Sequence, residues 1–129
     1  MMEHRERDER GDWDLVEEVG GPAVMETMMR RFYDRLFDDF FVGFFFEGHD
    51  KEALIASQTN YLHAHLGGRQ GTYQGTSIRE AHEGMKIFAG HFDRRHTILK
   101  EVMAEFDVPQ HVRREWVALD LALRELVIT

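Results

Sequence analysis

The segment from Pro22 to Asp38 constrains the fold most. Val24, Met25, Met28, Met29, Phe32, Leu36 and Phe37 recur there at three- and four-residue steps, a spacing that an α-helix gathers into one wide apolar face. Gly20-Gly21-Pro22 sets its start, since the fixed φ of proline suits a first helical position. Such a face has to be buried against further elements. Tyr33 lies one turn beyond Met29 and borders the face. Its ring can be buried, but its hydroxyl then needs a partner.

The other segments supply helices for that face to pack on. A short helix is expected from about Trp13 to Val19. Phe40 to Phe46 holds five phenylalanines in seven residues; as a strand without a partner sheet it would be an aggregation hazard. No second strand signal exists, so it reads as a tight helical corner packed into the interior. So much aromatic surface either makes core or walls a flat apolar ligand. Asp50 suits an N-cap, and the helix it opens runs to about Leu66. Leu54, Gln58, Tyr61, Leu62 and His65 share a stripe at helical spacing. Gln58 is the odd member, an amide that reaches water or a partner or else costs roughly 1–3 kcal/mol. His63 and His65, two apart, cannot serve one ligand from a helix and read as surface or rim.

Gly67-Gly68 ends that helix, and residues 69–76 read as a polar loop around Tyr73. Ser77 followed by Glu80 is a capping box, which starts a helix at Ser77 and puts His82 in its second turn before Gly84 weakens it. His82 reads either as a metal ligand or as a partly buried histidine bonded to a backbone carbonyl. A helix from about His91 to Phe106 carries Phe92, Ile98, Leu99, Val102, Met103 and Phe106. A last one, about Pro109 to Val127, buries Val112, Trp116, Leu119, Leu123 and Val127. The fold class is all-α.

The chain's 129 residues suit a charged arm over residues 1–12 and one domain over 13–129. With no cysteine, zinc–thiolate sites, iron–sulfur clusters, disulfides and thiol nucleophiles are excluded. A net charge of −8 argues against nucleic acid or an anionic membrane as partner. No apolar run is long enough to cross a bilayer, and the charged N-terminus has no apolar secretory core, so a cytoplasmic location is expected.

Several chemistries drop out on spacing. No histidine follows a glutamate by three residues, which a di-iron carboxylate bundle needs. His82, His91 and His96 are too irregular for a helical zinc face, and neither a P-loop nor a nucleophile elbow is present. One protein ligand, flat aromatic walls and isolated polar groups on apolar faces suit a haem pocket, where the porphyrin supplies four nitrogens and the protein one imidazole.

The chain resembles the truncated, two-over-two haemoglobins of the globin superfamily, and among them group I. The resemblance covers about Trp13 to Val127. It rests on Gly20-Gly21, Arg31-Phe32-Tyr33, Phe45-Phe46, Gln58, Leu66-Gly67-Gly68, Tyr73-x-Gly75 and Arg79-Glu80-Ala81-His82, and on the spacing between them. It implies a two-over-two helical sandwich around haem b, with His82 as the proximal iron ligand and Phe46 packed on the haem. Tyr33 and Gln58 then match the distal tyrosine and glutamine, and Leu54 stands where many globins carry a distal histidine or glutamine. Leu62 would flank the apolar route taken by gases. Ile78 departs, conservatively, from the methionine common before the proximal turn.

The resemblance also implies the ligands O2, NO and CO, with O2 bound tightly at a five-coordinate iron through a hydrogen bond from Tyr33. It implies nitric-oxide dioxygenation with an external electron-donor reductase, in a monomer or weak homodimer. O2 storage, transport, gas sensing and weak peroxidase chemistry remain alternatives. A haem-free helical interaction protein is the alternative of another class.

Overall fold

The computed structural model describes residues 14–67 and 78–128. Its helices are α1 (Leu15–Glu18), α2 (Pro22–Asp38), α3 (Lys51–Leu66), α4 (Ile78–His82), α5 (Ala89–Glu105), α6 (Gln110–Ala122) and α7 (Arg124–Val127), with a 3-10 turn over Gly43–Phe46. Among the described residues there is no strand, and no helix is long and apolar enough to cross a membrane. The charged arm, Tyr73, Gly68 and the Ser77 side of the capping box lie outside the described residues.

Local chemistry sets the helix ends. The Asp50 carboxylate caps α3, accepting the N–H groups of Glu52 at 3.0 Å and Ala53 at 3.3 Å. Asp14 does the same for α1 through the N–H of Glu17. Pro22 stands in the first turn of α2, where its missing N–H costs no helical bond.

The apolar face of α2 is buried to completion: Met25, Met28, Met29 and Phe32 are 0% exposed. α2 packs against both α3 and α5, and α5 packs in turn against α6. Ile55 and Leu62 of α3, Ile98, Leu99, Val102 and Met103 of α5, and Val112 and Trp116 of α6 complete the core. Arg30–Glu52, Arg31–Glu105 and Arg35–Glu101 ion pairs tie α2 to its two neighbours at the surface, where water and salt screen them and they add little stability.

Two segments depart from expectation. Residues 40–46 do turn tightly, but they are not packed inward throughout. Val42 and Gly43 are buried and Phe45 and Phe46 half-buried, whereas Phe40, Phe41 and Phe44 are exposed. A 3-10 turn has three residues per turn, so it cannot aim consecutive rings at one interior. Asp39 holds this turn, its carboxylate accepting the N–H groups of Phe41 and Val42 and pairing with Arg94 at 2.8 Å. The expected last helix is broken at Leu123, whose N–H donates to the Asp120 carbonyl in a three-residue step. Val112, Trp116, Leu123 and Val127 are buried as expected, but Leu119 is only half-buried and Asp120 is buried beside it.

Gly43 has a steric reason to be glycine. A Cβ there would stand 2.8 Å from the Phe37 carbonyl oxygen, which belongs to backbone and cannot move aside cheaply. Gly43→Ala should therefore lower stability by about 1–3 kcal/mol, measured as a lower urea midpoint at unchanged slope.

Candidate functional site

A cavity of about 270 Å³ opens between the C-terminal half of α2, the 3-10 turn, α3, α4 and α5. Each element supplies what its position allows. α2 turns Tyr33 and Leu36 toward it where the core face ends, α3 brings Leu54, Gln58 and Tyr61 along one stripe, and the turn brings Phe45 and Phe46. Phe46 stacks on Phe37 at 5.2 Å and meets Tyr33 edge-on at 6.1 Å, so its ring is held on two sides. The walls are mainly apolar and aromatic, as a flat apolar ligand requires.

Three histidines line the cavity: His49, His82 and His91. Their hydrogen bonds separate the two on helices. His82 Nδ1 lies 2.7 Å from the Ile78 carbonyl oxygen. A carbonyl only accepts, so Nδ1 carries the proton and the Nε2 lone pair is left for a metal. At His91 the polarity is reversed, because the Phe88 backbone N–H donates to Nδ1 at 3.0 Å. The neutral ring then has its proton on Nε2 and no lone pair to offer there. His91 is further held by the rings of Phe41, Phe45 and Phe88. His82 is thus half-buried and bonded to a carbonyl, as one of its sequence readings expects, and that bond leaves its Nε2 lone pair free. α4 ends just behind it, where Gly84 takes φ of +77°.

Of the residues expected at the site, Tyr33, Phe46, Leu54, Gln58 and His82 all line this cavity. Leu62 does not. It is 1% exposed in the helical core, one turn beyond Gln58. His65 is exposed, with its ring 4.4 Å from that of Tyr61. Among the described residues, no three histidines or carboxylates group to hold a bare metal ion.

Sequence reasoning missed the charged group of this pocket. Arg95 of α5 lines the cavity, and its Nη1 donates to both carboxylate oxygens of Asp120 at 2.8 and 3.0 Å. His96 Nδ1 meets the same carboxylate at 2.7 Å. The guanidinium also lies over the rings of Phe32 and Phe92 at 5.3 and 5.8 Å. A signal existed in the sequence, for Arg95 falls three residues after Phe92 and Asp120 four after Trp116. Both are charged residues on apolar stripes.

The charges shape one another. Burial pushes the Tyr33 hydroxyl up, with Arg95 pulling the other way, so at neutral pH it stays a protonated donor. Burial alone would raise Asp120, but the Arg95 charge and the hydrogen bonds from His96 and Arg95 outweigh it and hold the carboxyl below its ordinary range. Folding therefore favours the ionised form. That stability is present above the ordinary aspartate value of about 4 and is lost as pH falls through the lowered one. Asp120→Asn should cost about 1–3 kcal/mol at pH 7, because it takes the carboxylate away from the half-buried Arg95 charge. It should also flatten the fall in stability below about pH 4, both read from urea denaturation across pH.

Comparison with known proteins places this architecture. The family model for bacterial-like globins matches residues 14–125. A group 1 truncated hemoglobin from Tetrahymena pyriformis is 32% identical over 101 residues, covering 78% of this chain and 83% of that protein. The crystal structure of the Tetrahymena pyriformis truncated hemoglobin in its Fe(III) form overlays with a TM-score of 0.77 at 30% identity, over 88% of this chain and 97% of that one. The 2/2 hemoglobin from Synechococcus sp., with covalently attached heme, overlays at 0.82 and 26% identity, over 89% and 98%. These overlays bear out the two-over-two helical sandwich.

Proposed function

The chain belongs to the bacterial-like globin family, and within it to the group 1 truncated haemoglobins; on that footing we propose that it is a high-affinity O2 binder acting in nitric-oxide dioxygenation. As a truncated globin it is a haem protein that binds gas ligands. The residues present fit the group: one imidazole with its lone pair directed outward by a carbonyl bond, and walls that are largely aromatic. A bound haem would supply a redox-active iron able to take one imidazole from the protein and a small gas molecule.

What carries the reading is that His82, Tyr33 and Gln58, from three separate helices, line one cavity. His82 would hold the iron, its tautomer and ring orientation fixed by the Ile78 carbonyl. Phe46, braced by Phe37 and Tyr33, packs against the flat face of the macrocycle. Tyr33 would hold O2 by a hydrogen bond from its hydroxyl, and Gln58 would offer a second donor. Leu54 donates nothing and keeps the remaining space apolar. Leu62, buried one turn further along α3, flanks the path by which gas crosses the core.

A hydrogen bond to a charged acceptor contributes roughly 1.5–3 kcal/mol, enough to slow O2 escape about ten- to a hundredfold. Retention of that order suits chemistry on O2 better than its delivery. The overall conversion is NO plus O2 plus one electron to nitrate, with the electron from an external reductase and the reaction in the cytoplasm.

The first measurement is the absorption spectrum of the purified chain with haem, oxidised, then reduced under air and under CO. A Soret band that moves with each ligand is expected, as is stoichiometric nitrate when the O2 form meets NO. His82→Ala should abolish that spectrum; an unchanged one removes His82 as the ligand. Tyr33→Phe should speed O2 dissociation at least about fivefold, in line with a bond worth ~1 kcal/mol or more, by stopped-flow displacement with CO. An unchanged rate would overturn the distal hydrogen bond.

A further inference from the structure

The pocket contains a cation to which the roles of Tyr33, Gln58 and His82 assign no task. Arg95 lines the cavity, whereas its counterion Asp120 and the histidine behind it, His96, do not. Asp120 is 2% exposed. The pair is thus an oriented dipole, with its positive end on the cavity wall and its negative end in the core. Only Nη1 is spent on Asp120. Among the described residues Nη2 and Nε make no hydrogen bond, which leaves a charged donor edge beside Tyr33, whose hydroxyl feels the Arg95 charge.

Keeping that arrangement is costly unless it serves a ligand. The Arg95 side chain is 21% exposed, so its guanidinium gives up much of its water shell and regains part of it from one carboxylate and two aromatic faces. An apolar side chain would wall a pocket for neutral CO at less cost. What the arrangement adds is attraction for negative charge in a place of low dielectric, where Coulomb interactions are strong.

We propose that Arg95, held by Asp120, makes this pocket selective for small monovalent anions as ligands of the oxidised haem, with fluoride and nitrite as the representative class. This rests on the haem reading above and extends it to the charge of the ligand. Arg95 donates through Nη2 or Nε to the anion, Tyr33 donates its hydroxyl proton to the same ligand, and Asp120 with His96 holds the guanidinium in place. Neutral CO gains little from either.

The test is a pair of titrations on the haem-loaded full chain: fluoride and nitrite against the oxidised form, CO against the reduced form, followed by absorption. Arg95→Gln removes the charge and keeps a polar side chain. It should weaken fluoride and nitrite about ten- to a hundredfold and leave CO affinity within about threefold. Arg95→Met combined with Asp120→Leu removes both charges, so no uncompensated carboxylate remains; it should show the same selective loss, and it decides the matter where Arg95→Gln does not fold. Arg95→Lys should retain most of the anion affinity. Equal weakening of CO and anions, or anion affinity unchanged in both charge-removing variants, would overturn the proposal while leaving the haem reading intact. A wild-type chain that takes up no haem would overturn both.

Discussion

The apolar face of α2 is the constraint to which the rest of the molecule conforms. Over its first three turns it is sealed into the core by α3 and α5, through methionines and a phenylalanine with no exposure at all. Over its last turns the same face continues, but the partners diverge and Tyr33 and Leu36 border open space instead. Core and cavity are thus two ends of one stripe. The stability of the pocket is supplied from behind, by packing that no ligand has to provide, so the polar groups within it can be placed for chemistry rather than for folding.

Polar groups reach the cavity in different ways, and each solves the cost of burial differently. Tyr33 is kept protonated by its surroundings and so remains a donor. His82 is only half-buried and draws its orientation from its own helix, one turn back. Arg95 is the expensive case. It is neutralised by Asp120, and Asp120 in turn is bonded by His96, so the charge is shared across α5 and α6. The hydrogen-bond polarity at the two cavity histidines of α4 and α5 is equally specific: a carbonyl faces one Nδ1 and an amide faces the other.

Much of this was legible in the sequence because it depends on local rules. The period of Met25 to Leu36, the Asp50 cap and Pro22 at a helix start each follow from nearest neighbours in the chain, and all are present. The stripe of Leu54, Gln58 and Tyr61 likewise pointed to one face, and that face borders the cavity. What was hidden depends on contacts distant in sequence. Arg95 and Asp120 are 25 residues apart, and each by itself reads as solvated charge. Only their pairing across two helices makes burial affordable. The phenylalanines of 40–46 misled for another reason: apolar composition suggested an interior, but the 3-10 geometry sends Phe40, Phe41 and Phe44 outward. The interruption at Leu123 had no glycine or proline to mark it.

The proximal segment has a consequence for how the protein matures. α4 is five residues long, buries none of its own side chains and packs mainly on α7, itself only four residues long. The core formed by α2, α3, α5 and α6 closes without it. The pocket thus joins walls carried by the packed helices to one imidazole carried on a short peripheral arm. Amide exchange in residues 78–82 should respond to loading far more than exchange in α2, and the loading step is a local ordering rather than a global refolding.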